Sequence, residues 1–260
     1  AIQIARDFGN KRSEGILLGK AGGVYRSLGD TERAREHFQQ AIQIAREIGD
    51  KRYEGIYLGN LGIVYQFLSD LERAKENFHQ AIQIARDIGS KYSEGIQLGN
   101  LGDTLAKQGR LDEAEETLRQ AIALCDETTP AAAGAFRGSL ALLLARNEQL
   151  DEANELLTTG EPPVESTPDE YAKFLCKKAQ VQLIAGHPDD AHASLNQAQA
   201  LAAEIGVNEH SEVIKAIAET AGLLDMAPVA ATKGAAGDEG SKKTEAVSLA
   251  ILEGEQLNEL

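Results

Sequence analysis

The 260-residue chain contains no tryptophan and one methionine, and aromatic residues make up only 5% of it. A single large core is normally filled by bulky side chains. Their scarcity points instead to thin layers packed by Ala, Leu and Ile. There are two cysteines, Cys125 and Cys176, with no motif spacing between them. That excludes a disulfide framework and a Cys/His zinc site, and fits free thiols in a reducing cytosol. Basic residues are also short: 26 Lys and Arg stand against 41 Asp and Glu, a net charge of −15. Nucleic acid and anionic membranes both call for a basic surface, so neither is expected as a partner. No signal peptide or transmembrane run occurs, which makes a cytoplasmic location the expectation.

What the chain has in abundance is itself. Residues 1–40 and 41–80 agree at 25 of 40 positions, and residues 41–80 and 81–120 at 21 of 40. Ala1, Ala41, Ala81 and Ala121 share one column, and Ile2, Ile42, Ile82 and Ile122 the next. A fixed period of this size means a solenoid of stacked units. Within 41–80, Gly49 suits a helix end and Asp50 the N-cap of the next helix. Ile56, Leu58, Leu61, Val64, Tyr65 and Leu68 keep helical spacing, and Ser69-Asp70 breaks it. A second helix carries Leu71, Ala74, Phe78, Ala81, Ile82, Ile84, Ala85 and Ile88. Each unit is therefore a helical hairpin. Gly62 and Ala74 suit a close helix approach, while Tyr65 and Phe78 are large enough to fill the space between hairpins.

Leu61-Gly62, Tyr65, Ala74, Phe78 and Ala81 resemble the tetratricopeptide repeat, whose common period is about 34 residues. The period here is 40, and Leu58-Gly59-Asn60-Leu61-Gly62 and Leu98-Gly99-Asn100-Leu101-Gly102 are similar to the longer Leu-Gly-Asn type. That type occurs in spindle-orientation adaptors and bacterial signalling proteins. Arg86 stands where the common repeat has a proline. The resemblance implies an all-α fold, a right-handed α-solenoid of tetratricopeptide hairpins with a C-terminal capping helix.

In chain order, residues 1–8 are half a hairpin, which suggests a piece of a longer protein. Repeats follow near 11–48, 51–88, 91–126, 131–159 and 169–206. The second helix of the fourth repeat is expected to stop at Gly160 and Pro162-Pro163, with a loop to Pro168. Asn208 is expected to cap a single covering helix over 208–225, which completes a solenoid spanning 1–226. Residues 227–244, rich in Ala, Gly and Lys, suggest a flexible linker. Residues 245–260 form a short acidic amphipathic segment.

Catalysis finds no support. There is no Gly-rich phosphate loop, no nucleophile motif and no histidine cluster with metal spacing, so no enzyme activity, metal or cofactor is expected. The Asp189-Asp190 pair suits a helix start better than an acid–base dyad. The resemblance directs attention to the concave groove, lined by the first helix of each hairpin. With Leu61 and Gly62 fixing the register, repeat two contributes Ile56, Gly59, Asn60, Ile63, Gln66 and Phe67. The polar candidates along the whole groove are Lys20, Arg26, Asn60, Gln66, Asn100, Asp103, Lys107, Arg146, Lys173 and Lys177. Six are basic and only Asp103 is acidic, so an acidic protein keeps a basic inner face.

The expected function is a non-catalytic protein–protein interaction scaffold that binds an acidic extended or helical peptide segment in its groove. The alternative is a regulatory or sensor arm of a larger bacterial signalling protein, such as a serine/threonine kinase, a nucleotide-switch ATPase or a peptide-sensing regulator. The acidic tail 245–260 is itself a possible occupant. Lys173 and Lys177 resemble half of a carboxylate clamp, but Gly99 and Asp103 occupy the places of the other half.

Overall fold

The structure, a computed structural model, describes residues 1–226. The linker 227–244 and the tail 245–260 lie outside the described residues. Among the described residues there are twelve helices and no strand. They are α1 (Ile2–Asp7), α2 (Lys11–Ser27), α3 (Thr31–Glu47), α4 (Lys51–Phe67), α5 (Leu71–Asp87), α6 (Lys91–Lys107), α7 (Leu111–Thr128), α8 (Pro130–Arg146), α9 (Leu150–Val164), α10 (Pro168–Ile184), α11 (Pro188–Ile205) and α12 (Glu212–Met226). The described residues divide into two compact units, Ala1–Ala133 with Asn208–Ser211, and Gly134–Val207 with Glu212–Met226.

In the first unit the helix starts follow from local chemistry. The side chains of Asn10, Asp30, Asp50, Asp70 and Ser90 each accept a hydrogen bond from the backbone N–H three residues on, at 3.0–3.3 Å. Each thereby satisfies one N–H that helix geometry leaves without a partner. Helices α2–α3, α4–α5 and α6–α7 pair as hairpins, and α3–α4 and α5–α6 join one hairpin to the next.

Inside each hairpin a glycine lets the second helix approach. A Cβ on Gly62 would fall 2.6 Å from the Phe78 ring, and Gly22 faces Phe38 and Gly102 faces Leu118 in the same way. Phe78 is fully buried and Leu61 is 5% exposed. The ring thus fills its own hairpin, at Gly62, rather than the space between hairpins. The neighbouring slot between hairpins is closed by a second contact, Tyr57 of α4 against Gly19 of α2.

The joints between hairpins carry an ion pair the repeat spells out. Arg6 Nε lies 2.6 Å from Glu14 Oε1, Arg46 Nε 2.7 Å from Glu54 Oε1, and Arg86 Nε 2.6 Å from Glu94 Oε1. Glu14 and Glu54 are buried. The first two arginines also donate through Nη2 to Gln40 and Gln80 on the following second helix. One guanidinium therefore ties three successive helices, a use of its fork that lysine cannot reproduce. Arg86, which stands in place of the common proline, makes the pair with Glu94 that joins α5 to α6. In the next repeat these columns hold Asp126 and Gly134, and the first unit ends at Ala133.

In the second unit the boundaries of the fourth repeat differ from expectation. Helix α9 continues through Pro162 and Pro163 to Val164 instead of stopping at residue 159. Gly160 is not a stop signal: its carbonyl lies where a Cβ on Gly134 of α8 would be, so the glycines permit a close helix crossing. Leu157 and Val164, seven residues apart on one buried face, hold the last turns helical despite the missing proline donors. Helices α10 and α11 form a hairpin, and α12 lays Val213, Ile217 and Leu224 on its core. The covering helix begins at Glu212, not near 208. Asn208 Oδ1 accepts from the His210 N–H and closes a turn before it.

Two predictions follow from this packing. Phe78→Ala should cost about 3–5 kcal/mol, because the helices around Gly62 cannot collapse into the cavity; a thermal melt that does not move would contradict the packing. Burial pushes the Glu54 carboxyl up, but hydrogen bonds and charge from Arg46 and Lys51 hold it below its ordinary 4.5. Its stabilisation is present above that value and is lost as pH falls through the lowered folded value. Glu54→Gln should therefore lose less stability than the parent between about pH 6 and about pH 3, measured by denaturant melts. Equal losses would show that this carboxylate is not held by its partners.

Candidate functional site

The first helices of the first unit touch one another, α2 with α4 and α4 with α6. Gln66 of α4 fastens the second contact, donating through Nε2 to Thr104 Oγ1 at 2.7 Å and to the Asn100 carbonyl at 3.2 Å. These helices leave one stripe each toward solvent. On α4 the stripe is Ile56, Asn60, Ile63 and Phe67, all half-buried. On α2 it carries half-buried Ile16 and Arg26 with exposed Lys20, and on α6 half-buried Ile96, Asn100 and Asp103 with exposed Lys107. The middle stripe is apolar apart from Asn60, and its two neighbours carry cations.

The candidates differ in how far their polar atoms are committed. Asn60 Nδ2 donates to the Ile56 carbonyl of its own helix at 3.0 Å, so its Oδ1 is the atom it can offer an incoming group. The Gln66 amide nitrogen is used between helices. Gly59, expected on the open groove, is buried beneath Gln97 of the next first helix, as Gly19 is beneath Tyr57.

In the second unit, Lys173 is held by two carboxylates, Glu170 at 2.6 Å and Glu212 at 3.3 Å. Burial works against its ammonium, yet the two carboxylates outweigh this and raise its pKa. Its charge is matched within the protein. Lys177 Nζ donates to Ser139 Oγ at 2.5 Å, and Arg146 is half-buried. The structure thus separates the lysines into exposed ones, Lys20 and Lys107, and ones tied to neighbours, Lys173 and Lys177.

Other chemistry is sparse. Cys125 and Cys176 are free and buried, and burial pushes both thiols up to about 11, far from a reactive thiolate at neutral pH. Among the described residues no group of three or more His, Cys, Asp or Glu is placed to hold a metal, and no helix is long and apolar enough to cross a membrane. The clefts between hairpins, lined by residues such as Gly15, Ile44 and Tyr57 or Gly55, Ile84 and Gln97, have room for about one water molecule each.

A family model described as the MalT-like TPR region matches residues 50–224, and a tetratricopeptide repeat model matches residues 17–48. The chain belongs to the MalT-like tetratricopeptide repeats. No curated protein matches its sequence. Among solved structures this tetratricopeptide protein is similar to BtubC from P. vanneervenii, with a TM-score of 0.62 and 15% identity over 79% of this chain and 88% of that one. It is similar to the apo form of RapI, with a TM-score of 0.60 and 15% identity over 98% and 90%. A putative kinesin light chain from Podosopora anserina, with nearly identical TPR-like repeats, aligns at 21% identity and a TM-score of 0.53 over 72% and 94%. At these identities the likeness shows the fold of stacked helical hairpins.

The committed and uncommitted lysines can be told apart by stability. Lys173→Ala removes the cation shared by two half-exposed carboxylates and should destabilise by about 1–2 kcal/mol, whereas exposed Lys20→Ala should stay within about 0.5 kcal/mol of the parent. Denaturant melts check this, and equal effects would contradict the distinction.

Proposed function

We propose that this protein is a non-catalytic interaction scaffold that holds an acidic, partly apolar peptide segment along the first-helix face of its first unit. The observation that carries this reading is the order of chemistry across that face. Lys20 and Arg26 lie on α2, Ile56, Ile63 and Phe67 on α4, and Lys107 on α6, in a chain of net charge −15. An apolar stripe with cations on both sides suits a segment with apolar anchors between carboxylates. Asn60 Oδ1 accepts a backbone N–H of that segment, and Asn100 and Asp103 line the same edge. Arg146, Lys173 and Lys177 belong to the other unit, and Lys173 and Lys177, like Arg146, already have internal partners, so they contribute less.

A second reading has its own support. The match to the MalT-like TPR region, and a likeness to a Rap protein crystallised with Competence and Sporulation Factor (16% identity, TM-score 0.59), favour a sensor arm of a larger bacterial signalling protein. The two readings share the same face and differ in what the bound segment switches.

Selection of a random-sequence peptide library against the full chain tests the common element. The selected peptides should combine Asp or Glu with Leu, Ile or Val. Their affinity should fall about tenfold or more in a Lys20→Glu, Lys107→Glu double variant of unchanged helicity, and should weaken as salt rises. Selected peptides that bind the double variant as tightly as the parent would overturn the reading.

A further inference from the structure

Within the first unit, α2 touches α4 and α4 touches α6, and the repeat sets their outward residues in rows. Lys20 stands level with Asn60 and Asn100, and Lys107 level with Phe67 and Ser27, so the two exposed lysines do not share a row. A diagonal joins them. Lys20 on α2, Ile63 on α4 and Lys107 on α6 advance by about one helical turn at each helix. Ile63 in the middle is half-buried. Asp103 lies one turn before Lys107 and disfavours a carboxylate on the level row through Ile63. A Cβ on Gly23 would meet nothing within 4 Å, so the path from Lys20 to Ile63 crosses an open floor.

The spacing of this diagonal selects a backbone conformation. Neighbouring axes are about 8–10 Å apart and one turn rises about 5.4 Å, so each step is roughly 10–11 Å. Three residues of polyproline II make one turn and rise about 9 Å, which returns every third side chain to the same face. Flexible lysine side chains cover the small difference. A β-strand spans a step in three residues too, but its side chains alternate, so the middle one of three such positions points away. An α-helix needs about seven residues per step and spends its N–H groups internally. Asn60 Oδ1, beside the path, offers an acceptor that only a backbone with free N–H groups can use.

We infer that the segment bound on this face is an acidic stretch in polyproline II conformation that crosses the three helices on this diagonal. One carboxylate meets Lys20, an aliphatic side chain three residues away covers Ile63, and a second carboxylate three residues further meets Lys107. This rests on the reading of the face as a peptide site and adds the spacing that the site selects. Proline suits the positions between these anchors because it presets the conformation.

Fluorescent peptides flanked by Gly-Ser and titrated onto the full chain test the spacing. The peptide EAPLAPE carries it. Companions with one alanine removed or added between Leu and the second Glu break it. An alanine-rich peptide with a central Leu and its two acids about fourteen residues apart carries the helical spacing instead. EAPLAPE should bind several-fold more tightly than each companion, and Ile63→Ala should remove most of its advantage over EAPAAPE. The inference is overturned if EAPLAPE does not bind, if the companions bind as tightly, or if the helical peptide binds more tightly. Library-selected peptides keep this apart from the site itself. If their binding depends on Lys20 and Lys107 while the spacing series is flat, the peptide site stands and the diagonal register is refuted. If it does not depend on those lysines, both fall.

Discussion

Every joint between the regular hairpins turns on one ion pair. An arginine at the end of a second helix reaches eight residues forward to a glutamate in the first turn of the next first helix, and in two repeats it also grips a glutamine one helix further on. A buried carboxylate without that partner would be expensive, so the pair makes one arrangement of the joint strongly preferred. The contact of a glycine with Phe38, Phe78 or Leu118 inside each hairpin fixes the other angle. Together they determine which side of α2, α4 and α6 faces outward, and hence which residues form the solvent-facing stripe. Where the arginine and glutamate columns give way to Asp126 and Gly134, the regular unit ends.

The stripe inherits its chemistry from small departures from the repeat. The column of Lys20, Asn60 and Asn100 goes from cation to amide, and that of Ser27, Phe67 and Lys107 from hydroxyl to ring to cation. The conserved framework of the three hairpins holds these variable positions about one helix spacing apart. Identical repeats would give a uniform face; the substitutions give it a charged edge, an apolar middle and a second charged edge. Mixed charge of the rest of the surface leaves the acidic majority elsewhere, notably in the first turns of the second helices, where Asp and Glu suit the helix dipole.

Much of this was legible in the sequence because its determinants are local or exactly periodic in the chain. Asp50 was readable as a cap three residues from its target and Gly62 as a site of close helix approach, whereas the sequence set Phe78 between hairpins and the structure sets it against Gly62 inside one. The arginine–glutamate joint was equally available in the columns 6, 46, 86 and 14, 54, 94, but a pairing eight residues apart across a turn is not a helix-face relation and does not stand out. Partners nearly a full repeat away were harder still: Gln66 with Thr104, and Lys173 with Glu212, decide whether a polar side chain is offered or spent. Gly160 and Pro162-Pro163 misled for a different reason. Their local tendency to end a helix is overridden by the crossing with Gly134 and the burial of Val164, both tertiary effects.

The central claim is that the first-helix face of the first unit is where peptides bind. Backbone amide chemical-shift mapping of the full chain, titrated with an acidic, apolar peptide taken from library selection, tests it most directly. The account predicts that the largest shifts cluster at Lys20, Ile56, Asn60, Ile63, Phe67 and Lys107. Shifts confined to the outer sides of α3, α5 and α7, with that cluster unmoved, would contradict it.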